Sequence, residues 1–395
     1  MHSRRRAAGA SLALLTVAGL VVAAPAAAAP PRAVPPSAIP SATLTDAVTA
    51  KLLALADPAR QGVRPETRTT VSRTGAGWAF GTAVALAPHR EDAHPTGAVF
   101  VARAERDGWR VAFDGEAGFA ELAAQSPLVT SREKQVFDAT PTPLYAGGDY
   151  RTGMALPFTV GQTWTLTGGP HGWGGSESPY SSIDLSGGDQ VVRAARAGTA
   201  YTMCQGWIRV IHDRGYATDY YHLWSNIAVN GAAVAQGAFL GYTGTDVTCG
   251  GAASGRHVHF GLRQNNTYVP IAGHDVGKWV FVNGATAYQG GARHGSYTIG
   301  AGGAIHNHGA LGLTQGVVDT FGGGTLTRRA GPGTGYAALG SLADGATVAV
   351  SCSANGTTHT GRYGTTSLWN RLGDGSWVSD AYLWTGVSGP VNGWC

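Results

Sequence analysis

The sequence predicts a mainly β protein built from several modules. Gly accounts for 60 of the 395 residues, without a period of three, and only 13% of the residues are charged. Gly costs about 1 kcal/mol at a helical position, so this composition disfavours helical bundles and coiled coils and favours turn-rich β structure. The missing period of three excludes a collagen-like chain. Short apolar or β-branched segments recur between residues 161 and 282, separated by Gly turns, as strands of an all-β domain do.

The first 29 residues have the composition of a secretory signal peptide. Three Arg residues at positions 4–6 precede an apolar run from Ala7 to about Ala24, which ends in small residues before Pro30. A basic start, an apolar stretch and a small-residue end are typical of a cleaved signal. An uncleaved membrane anchor is the alternative, and the residues leave Sec or Tat export open. We expect cleavage near Ala29, a secreted protein and no membrane association of the mature form.

The net charge of +4 does not point to nucleic acid. Three of the positive charges lie at positions 4–6, while residues 30–144 hold 12 basic and 12 acidic side chains and residues 145–395 hold 13 and 12. A near-neutral body has no basic surface for phosphates. We therefore expect no nucleic-acid partner.

Residues 30–145 differ in amino-acid composition from the rest of the chain. Residues 30–144 contain only 8 Gly and no Cys, whereas residues 145–395 contain 50 Gly and all four Cys. A helical period runs from Leu44 to Leu55, and strand-type patterns occupy residues 99–102 and 109–113. This predicts a small α+β module, which we interpret as a propeptide that assists folding of the following part or inhibits it. An ordinary N-terminal domain is the alternative.

The four cysteines form an even set in a chain that is expected to be exported. Four Cys allow three pairings, and no Cys-x-x-Cys spacing suggests a structural zinc site. Pairing of neighbours within one domain favours Cys204 with Cys249 and Cys352 with Cys395. The other two pairings stay open.

Residues 146–283 are predicted to form an antiparallel β-sandwich or barrel-like domain. Its strand-type segments are Val191–Met203, Trp207–Asp213, Ala217–Leu223 and Val258–Arg263. Within the last segment, His257 and His259 are two residues apart. Side chains alternate across a strand, so both imidazoles share one face while Val258 and Phe260 face the core. Such a pair can serve one metal site, although His-x-His alone is a weak signal and a metal-free surface pair is the alternative.

Two more residues strengthen the metal hypothesis. His171 is predicted to lie in a Gly-rich loop that lets a ligand approach, and Asp184 lies between Ile183 and Leu185 in an apolar strand. A lone buried carboxylate is costly, so Asp184 needs a cation or backbone N–H donors. Two imidazoles, one carboxylate and a water make up an open catalytic zinc site. His222 lies in the apolar segment Tyr220–Trp224, where a core histidine is the alternative.

The ordered set His171, Asp184, His222 and His257-Val258-His259 resembles the lysostaphin-like zinc endopeptidases, and most closely their beta-lytic branch. The resemblance covers roughly residues 150–283. It implies that His171, Asp184 and His259 bind Zn²⁺. It also implies that His257 and His222 stay off the metal, one accepting a proton from the water and the other stabilising the oxyanion. Twelve residues separate His171 from Asp184, which fits the beta-lytic type and departs from lysostaphin, where three intervene.

The remaining histidines are weaker candidates. His274, His294 and His359 are interpreted as surface residues, and the second His-x-His, His306 and His308, lies in a stretch without apolar strand context. We expect no metal site there.

The C-terminal third divides into a linker and a small β-barrel. Residues 284–313 are rich in Gly and Ala and are predicted to be a linker. Short strands and an Arg-Ala-Gly-Pro turn within residues 314–395 resemble a bacterial SH3-type domain, and in the family such modules bind cell-wall peptides. Trp369, Trp377 and Trp384 are candidates for a ligand face or for the core of this barrel.

Together these observations predict a secreted, monomeric zinc endopeptidase that cuts Gly- or Ala-rich stem or cross-bridge peptides of bacterial peptidoglycan. The substrate follows from the resemblance alone. One alternative is a non-catalytic protein of the same fold that binds the wall or activates another hydrolase. The other is a carbohydrate-binding or adhesion protein whose histidines are structural.

Overall fold

The computed structural model describes residues 41–55, 65–137 and 143–395, so the predicted signal peptide lies outside the described residues. The prediction of a mainly β fold is confirmed, because strands hold far more of the described residues than helices do. No helix within the described ranges is long and apolar enough to span a membrane.

The N-terminal module consists of the described residues between 41 and 137 and is α+β, as predicted. Its elements are α1 (Ser41–Leu55), β1 (Thr67–Gly75), β2 (Trp78–Ala85), β3 (Thr96–Glu105), β4 (Gly108–Phe113), α2 (Ala117–Gln125) and α3 (Ser131–Phe137). The strands form one antiparallel sheet in the order β1-β2-β3-β4. Leu44, Val48 and Leu52 recur at helical spacing and pack α1 onto one face of that sheet.

The central module spans residues 143–306. It begins with a 3₁₀ turn (Leu144–Gly147) and continues with β5 (Arg151–Met154), β6 (Thr163–His171), β7 (Ser182–Ser186), β8 (Val191–Arg193), β9 (Gly198–Cys204), β10 (Trp207–Ile211), β11 (Tyr216–Tyr221), β12 (Asn230–Val234), β13 (Phe239–Tyr242), β14 (Val258–Gln264), β15 (Thr267–Tyr268), β16 (Asp275–Val276), β17 (Trp279–Val282), β18 (Gly291–His294), β19 (Tyr297–Gly300) and β20 (Ala304–His306). The predicted strand segments are confirmed. The first of them, Val191–Met203, is divided into β8 and β9.

A central antiparallel sheet organises this module, in the order β12-β9-β10-β11-β14-β7-β6-β20, with β15 paired to β14. A second sheet has the order β19-β18-β17-β16-β5, in which only β16 and β5 are parallel, and β8 and β13 form a separate ribbon. On β14, Val258 and Phe260 enter the main apolar core, which confirms the predicted alternation. We call the opposite face of the central sheet, which carries Asp184 and His259, the site face.

The linker predicted for residues 284–313 differs from the structure. β18 pairs with β17 of the second sheet, and β20 pairs with β6 at the edge of the central sheet. Ala292, Ile299 and Ile305 are buried in the main core. The many small residues made this stretch resemble a linker. Its backbone N–H and C=O groups are instead hydrogen-bonded to neighbouring strands of the two sheets.

The C-terminal module spans residues 315–395. Its elements are β21 (Gln315–Val318), β22 (Thr325–Arg329), β23 (Ala338–Ala343), β24 (Thr347–Gly361), β25 (Gly364–Leu372), β26 (Trp377–Ser379), a 3₁₀ turn (Asp380–Tyr382) and β27 (Leu383–Trp384). They form a seven-stranded antiparallel sheet in the order β23-β22-β26-β25-β24-β21-β27. Val318, Val350 and Val378 belong to its own small core.

The structure has both favoured disulfides. Cys204 at the end of β9 is joined to Cys249, 45 residues later, in the segment that precedes β14. Cys352 on β24 is joined to the last residue, Cys395. Each bond closes a loop within one module, as the neighbour argument predicts.

Candidate metal site

Asp184 and His259 are brought together by strand register. β7 and β14 are antiparallel neighbours, and these two residues are directly opposite each other. Because side chains of opposed residues point to the same face, both reach the site face side by side. His171 is the last residue of β6, which pairs with the other edge of β7. This corrects the prediction that His171 lies in a loop, since the Gly residues before it are part of the strand.

Three donor atoms from these residues converge. Nδ1 of His259 lies 2.9 Å from Oδ1 of Asp184 and 3.1 Å from Nε2 of His171. One donor atom from each residue lies within 4.8 Å of the others. Both imidazoles are almost completely buried, while the Asp184 side chain keeps 14% of its exposure. The set is therefore buried at its base and open on the carboxylate side.

Backbone carbonyls orient the imidazoles. Nδ1 of His171 lies 2.7 Å from the carbonyl oxygen of Gly169, and a carbonyl can only accept, so Nδ1 carries the hydrogen and donates it. In the neutral ring Nε2 is then unprotonated and faces the other two donors. A hydrogen bond that fixes the tautomer of a ligating histidine in this way is typical of metal sites.

The charges of the site favour an ionised Asp184 carboxylate beside a neutral His259 imidazole. Burial alone would raise the pKa of Asp184, but His171, His257 and His259 around it hold that pKa well below its usual range. Burial lowers the pKa of His259 to about 4, against the opposing effect of Asp184. Near neutral pH the set thus offers one anionic oxygen beside the uncharged imidazole of His259.

His257 and His222 lie beside this set without joining it. Nε2 of His257 is 3.6 Å from Oδ1 of Asp184, and its Nδ1–H donates to the carbonyl of Gly255 at 2.7 Å. Nδ1–H of His222 donates to the carbonyl of Asp246 at 2.9 Å. The centres of the two rings are 4.8 Å apart. Both rings keep an unprotonated Nε2 in the neutral state and can accept a proton.

The position of His222 corrects its sequence assignment. β11 ends at Tyr221, and His222 follows it with a left-handed backbone, φ 65°. This conformation is uncommon outside Gly and is frequent at functional sites. Burial, together with His257 and His94, lowers the pKa of His222 to about 3. A Cβ at Gly244 would lie 2.5 Å from the His222 carbonyl oxygen, so the Gly there permits this close approach.

Sequence analysis missed three aromatic neighbours of the site. Tyr288 stacks on His171 with ring centres 3.9 Å apart, His94 stacks on His259 at 4.7 Å, and Trp173 lies 4.8 Å from His259. Tyr288 comes from the stretch predicted to be a linker and His94 from the N-terminal module. Trp173 follows His171 closely, which is the one local signal that could have indicated it.

The other histidines behave differently from one another. His274 is fully buried and donates Nδ1–H to the carbonyl of Pro270, so its assignment to the surface was wrong. His294 and His308 stack at 3.9 Å, and His306 lies 4.7 Å from His308. Within the described ranges, only His171, Asp184 and His259 form a group of three possible metal donors.

The donor set fits a metal ion. Two imidazole nitrogens and a carboxylate oxygen face one another in a cleft of about 320 Å³ that also borders His222 and His257. Two imidazoles and one carboxylate that leave a further position to solvent are the ligand composition of open sites in metal-dependent hydrolases. The fold and the site thus define a metallohydrolase-type centre on an antiparallel sheet.

The chain belongs to peptidase family M23. The profile of Peptidase family M23 matches residues 179–271, which include Asp184, His222, His257 and His259. Beta-lytic metalloendopeptidase of Lysobacter enzymogenes is 30% identical over 132 residues, or 30% of this chain and 74% of that protein.

Two further comparisons cover the same share of the chain. Protease LasA of Pseudomonas aeruginosa is 32% identical over 164 residues, and the match spans 39% of this chain and 39% of LasA. The solved structure of the M23 metalloprotease pseudoalterin from the deep sea is 31% identical, with 39% of this chain and 97% of that chain covered and a TM-score of 0.37.

Proposed function

We propose that the chain is a secreted zinc endopeptidase that hydrolyses peptide bonds in stem or cross-bridge peptides of bacterial peptidoglycan. The observation that carries the proposal is the convergence of His171, Asp184 and His259 in an open cleft that also borders the imidazoles of His222 and His257. Family membership supports peptide hydrolysis, and the name of a matched relative, beta-lytic metalloendopeptidase, supports an endopeptidase.

In this proposal His171, Asp184 and His259 hold the metal through Nε2, a carboxylate oxygen and Nδ1. A bound Zn²⁺ supplies a Lewis acid and a water of lowered pKa. His257 takes the proton of the attacking water, because the Asp184 carboxylate 3.6 Å away stabilises the positive charge that the ring gains. His222 lines the same cleft, and we place it next to the developing oxyanion.

The other assignments complete the proposal. Residues 1–29 act as a signal peptide, residues 30–145 as a propeptide, and the C-terminal module as an SH3-type wall-binding domain. Two disulfides suit an oxidising, extracellular compartment. Binding of the C-terminal module to wall peptides would raise the local concentration of the enzyme at an insoluble substrate.

The test uses the processed protein on purified bacterial cell walls and on defined wall peptides. We expect one equivalent of zinc, loss of turbidity of the walls, loss of activity with chelator and recovery with Zn²⁺. His259→Ala should lose both the metal and the activity, while the matched His306→Ala should lose neither. Continued hydrolysis by His259→Ala would refute the zinc proposal. Stoichiometric zinc without hydrolysis would instead favour a wall-binding or hydrolase-activating protein.

A further inference from the structure

A segment of the N-terminal module covers the cleft that we propose as the active site. Glu91, Asp92 and His94, between β2 and β3, line the same 320 Å³ cleft as His171 and Asp184. The His94 ring stacks on His259 at an angle of 25°, and its centre is 5.8 Å from that of His222. A peptide that approaches the donor set has to displace this segment. The inference below therefore rests on the proposed function.

One wall of the cleft holds the segment through backbone hydrogen bonds. Ala87 N–H donates to the carbonyl of Cys249 at 2.9 Å, and Gly251 N–H donates to the carbonyl of Pro88 at 3.0 Å. Both partners advance along the sequence, from Ala87 to Pro88 and from Cys249 to Gly251, so the two segments run parallel. A Cβ at Gly250 would collide with the Ala87 backbone, so the Gly at this position permits the close approach of the segment.

Residues 173–176 also hold the segment, through hydrogen bonds that involve side chains. The Asp92 carboxylate accepts the backbone N–H of Ser176 at 2.9 Å and its hydroxyl at 2.8 Å. The Trp173 indole N–H donates to the carbonyl of Pro95 at 2.9 Å. A Cβ at Gly175 would collide with the Asp92 carboxylate. The segment is therefore attached at residues 173–176 as well as at residues 249–251.

The N-terminal module and the central sheet also share one apolar core. This core joins Phe80, Val84, Val99, Val101, Phe119 and Phe137 of the N-terminal module to Tyr201, Met203, Trp207, Ile211 and Tyr221 on the site face. The Tyr201 ring lies 6.0 Å from Phe80 and 6.5 Å from Phe137. Separation would expose these large side chains to water, at about 25 cal/mol per Å² of apolar surface.

Buried charges join the two modules as well. Arg209 is fully buried and makes two hydrogen bonds to Asp219, at 2.9 and 3.0 Å. It also donates to the carbonyl of Gly97 at 2.9 Å and lies 3.3 Å from the Asp114 carboxylate. Nearby, the Tyr201 hydroxyl donates to Glu133 at 2.9 Å. Gly97, Asp114 and Glu133 belong to the N-terminal module, so its departure removes three partners of buried polar groups.

We propose that the N-terminal module stays bound across the metal cleft after the chain is cut between residues 137 and 143, so that one cut does not open the site. Opening requires a second event that destroys or unfolds the N-terminal module. The physical reason is that the contacts of the cleft segment, the shared core and the Arg209 cluster all survive a break in the connecting chain.

The test uses the full chain, with the recognition sequence of a site-specific protease placed between residues 137 and 143. After complete cleavage, we expect both fragments to elute as one species in gel filtration. The rate at which 1,10-phenanthroline extracts the bound zinc should stay at the value of the uncut chain. A further protease site in the segment 88–91 should, when it is cut as well, increase the extraction rate.

Two variants test the cleft segment separately. Asp92→Ala combined with His94→Ala should accelerate zinc extraction by about tenfold, because lost hydrogen bonds to a carboxylate and a lost ring contact cost on the order of 1.4 kcal/mol. The fragments should still co-elute, since the shared core is intact. The matched variant, Asp107→Ala with Arg106→Ala, changes exposed residues of the same module outside the cleft segment and should leave the rate unchanged.

Separation of the fragments after the single cut would overturn the proposal. So would zinc extraction from the singly cut chain at the rate of the chain that is also cut within residues 88–91. Neither readout requires hydrolysis. If the opened protein binds zinc but cleaves no wall peptide, the proposed function fails while co-elution and extraction still decide this inference.

Discussion

His259 and Asp184 are opposed on two antiparallel strands, and Nδ1 of the imidazole lies 2.9 Å from Oδ1 of the carboxylate. This pair is the base of the candidate metal site, because His171 approaches the same two atoms from the adjacent strand. Strand register therefore sets the spacing of the donors.

Asp184→Asn should weaken zinc binding by more than about 100-fold, since it removes the only anionic donor and even outer partners of metal ligands contribute 10–100-fold. The measurement is zinc affinity by competition with a chromogenic chelator. Asp189→Asn, an exposed change in the turn after β7, is the matched control and should bind zinc as the wild type does. Equal affinities for the two variants would exclude Asp184 as a ligand.

His257→Ala should retain zinc and lose activity. The ring is near Asp184 but outside the converging group of donors, so its loss removes proton transfer and leaves the metal in place. We expect kcat to fall by about 10²–10⁴-fold. Zinc content and kcat should be measured on the same preparation. A variant that loses zinc along with activity would make His257 a ligand instead.

Gly168→Ala should weaken the metal site without unfolding the sheet. Gly168 pairs with Asp184 across β6 and β7, and a Cβ there would lie 2.6 Å from Oδ2 of Asp184. The carboxylate must move, so we expect zinc affinity to fall by about 10–100-fold. Gly300→Ala is the control, because a Cβ at Gly300 meets open space. Unchanged zinc affinity in Gly168→Ala would show that the carboxylate position is not critical.

His212 should make stability depend on pH below 6.5. Burial lowers its pKa to about 4, while Nδ1 and Nε2 contact the Ala197 carbonyl and the Thr218 hydroxyl, both at 2.9 Å. The unfolded chain binds the proton first as the pH falls. The contribution is therefore complete above about pH 6.5 and is lost by about pH 4, a loss of about 3 kcal/mol from this residue.

Urea unfolding of His212→Gln between pH 7 and 4 checks this value. The variant should show a shallower fall in unfolding free energy than the wild type, whereas His89→Gln, at an exposed position, should follow the wild type. Parallel curves for His212→Gln and the wild type would contradict the prediction.

Arg209→Leu should destabilise the intact chain by about 3–5 kcal/mol, because it leaves the Asp219 carboxylate buried without its main partner. Arg110→Leu breaks an ion pair to Glu121 whose side chains are 42% and 54% exposed, and it should cost about 1 kcal/mol or less. Unfolding by urea gives both values. Similar small losses in both variants would mean that the buried pair adds no more than a surface pair.

Much of the fold could be predicted because strand patterns are local. Alternation on β14 placed Val258 and Phe260 in the core and His259 on the other face, and the structure agrees. Neighbouring cysteines predicted both disulfides. The linker prediction for residues 284–313 was wrong, because its many small residues obscured the strand pattern that Ile299 and Ile305 mark with their buried side chains.

The candidate site could be predicted only in part from the sequence. The residue types that a metal needs were visible one by one, and the family resemblance ordered them into a set. Neither the left-handed turn at His222 nor the stacking of Tyr288 on His171 follows from a local pattern, since both depend on segments that are distant in the chain.

The sequence by itself determined the mainly β class, the α+β character of the N-terminal module, the face on which His259 lies and the side chains available to bind a metal. These are properties of periods and residue types over a few positions. Only the tertiary structure decided that Asp184 is opposite His259, and that His94 lies on the donor set and Arg209 is buried against Asp114. Such pairings depend on strand register and on packing between modules. Both are selected by the free energy of the whole chain and not by any local pattern.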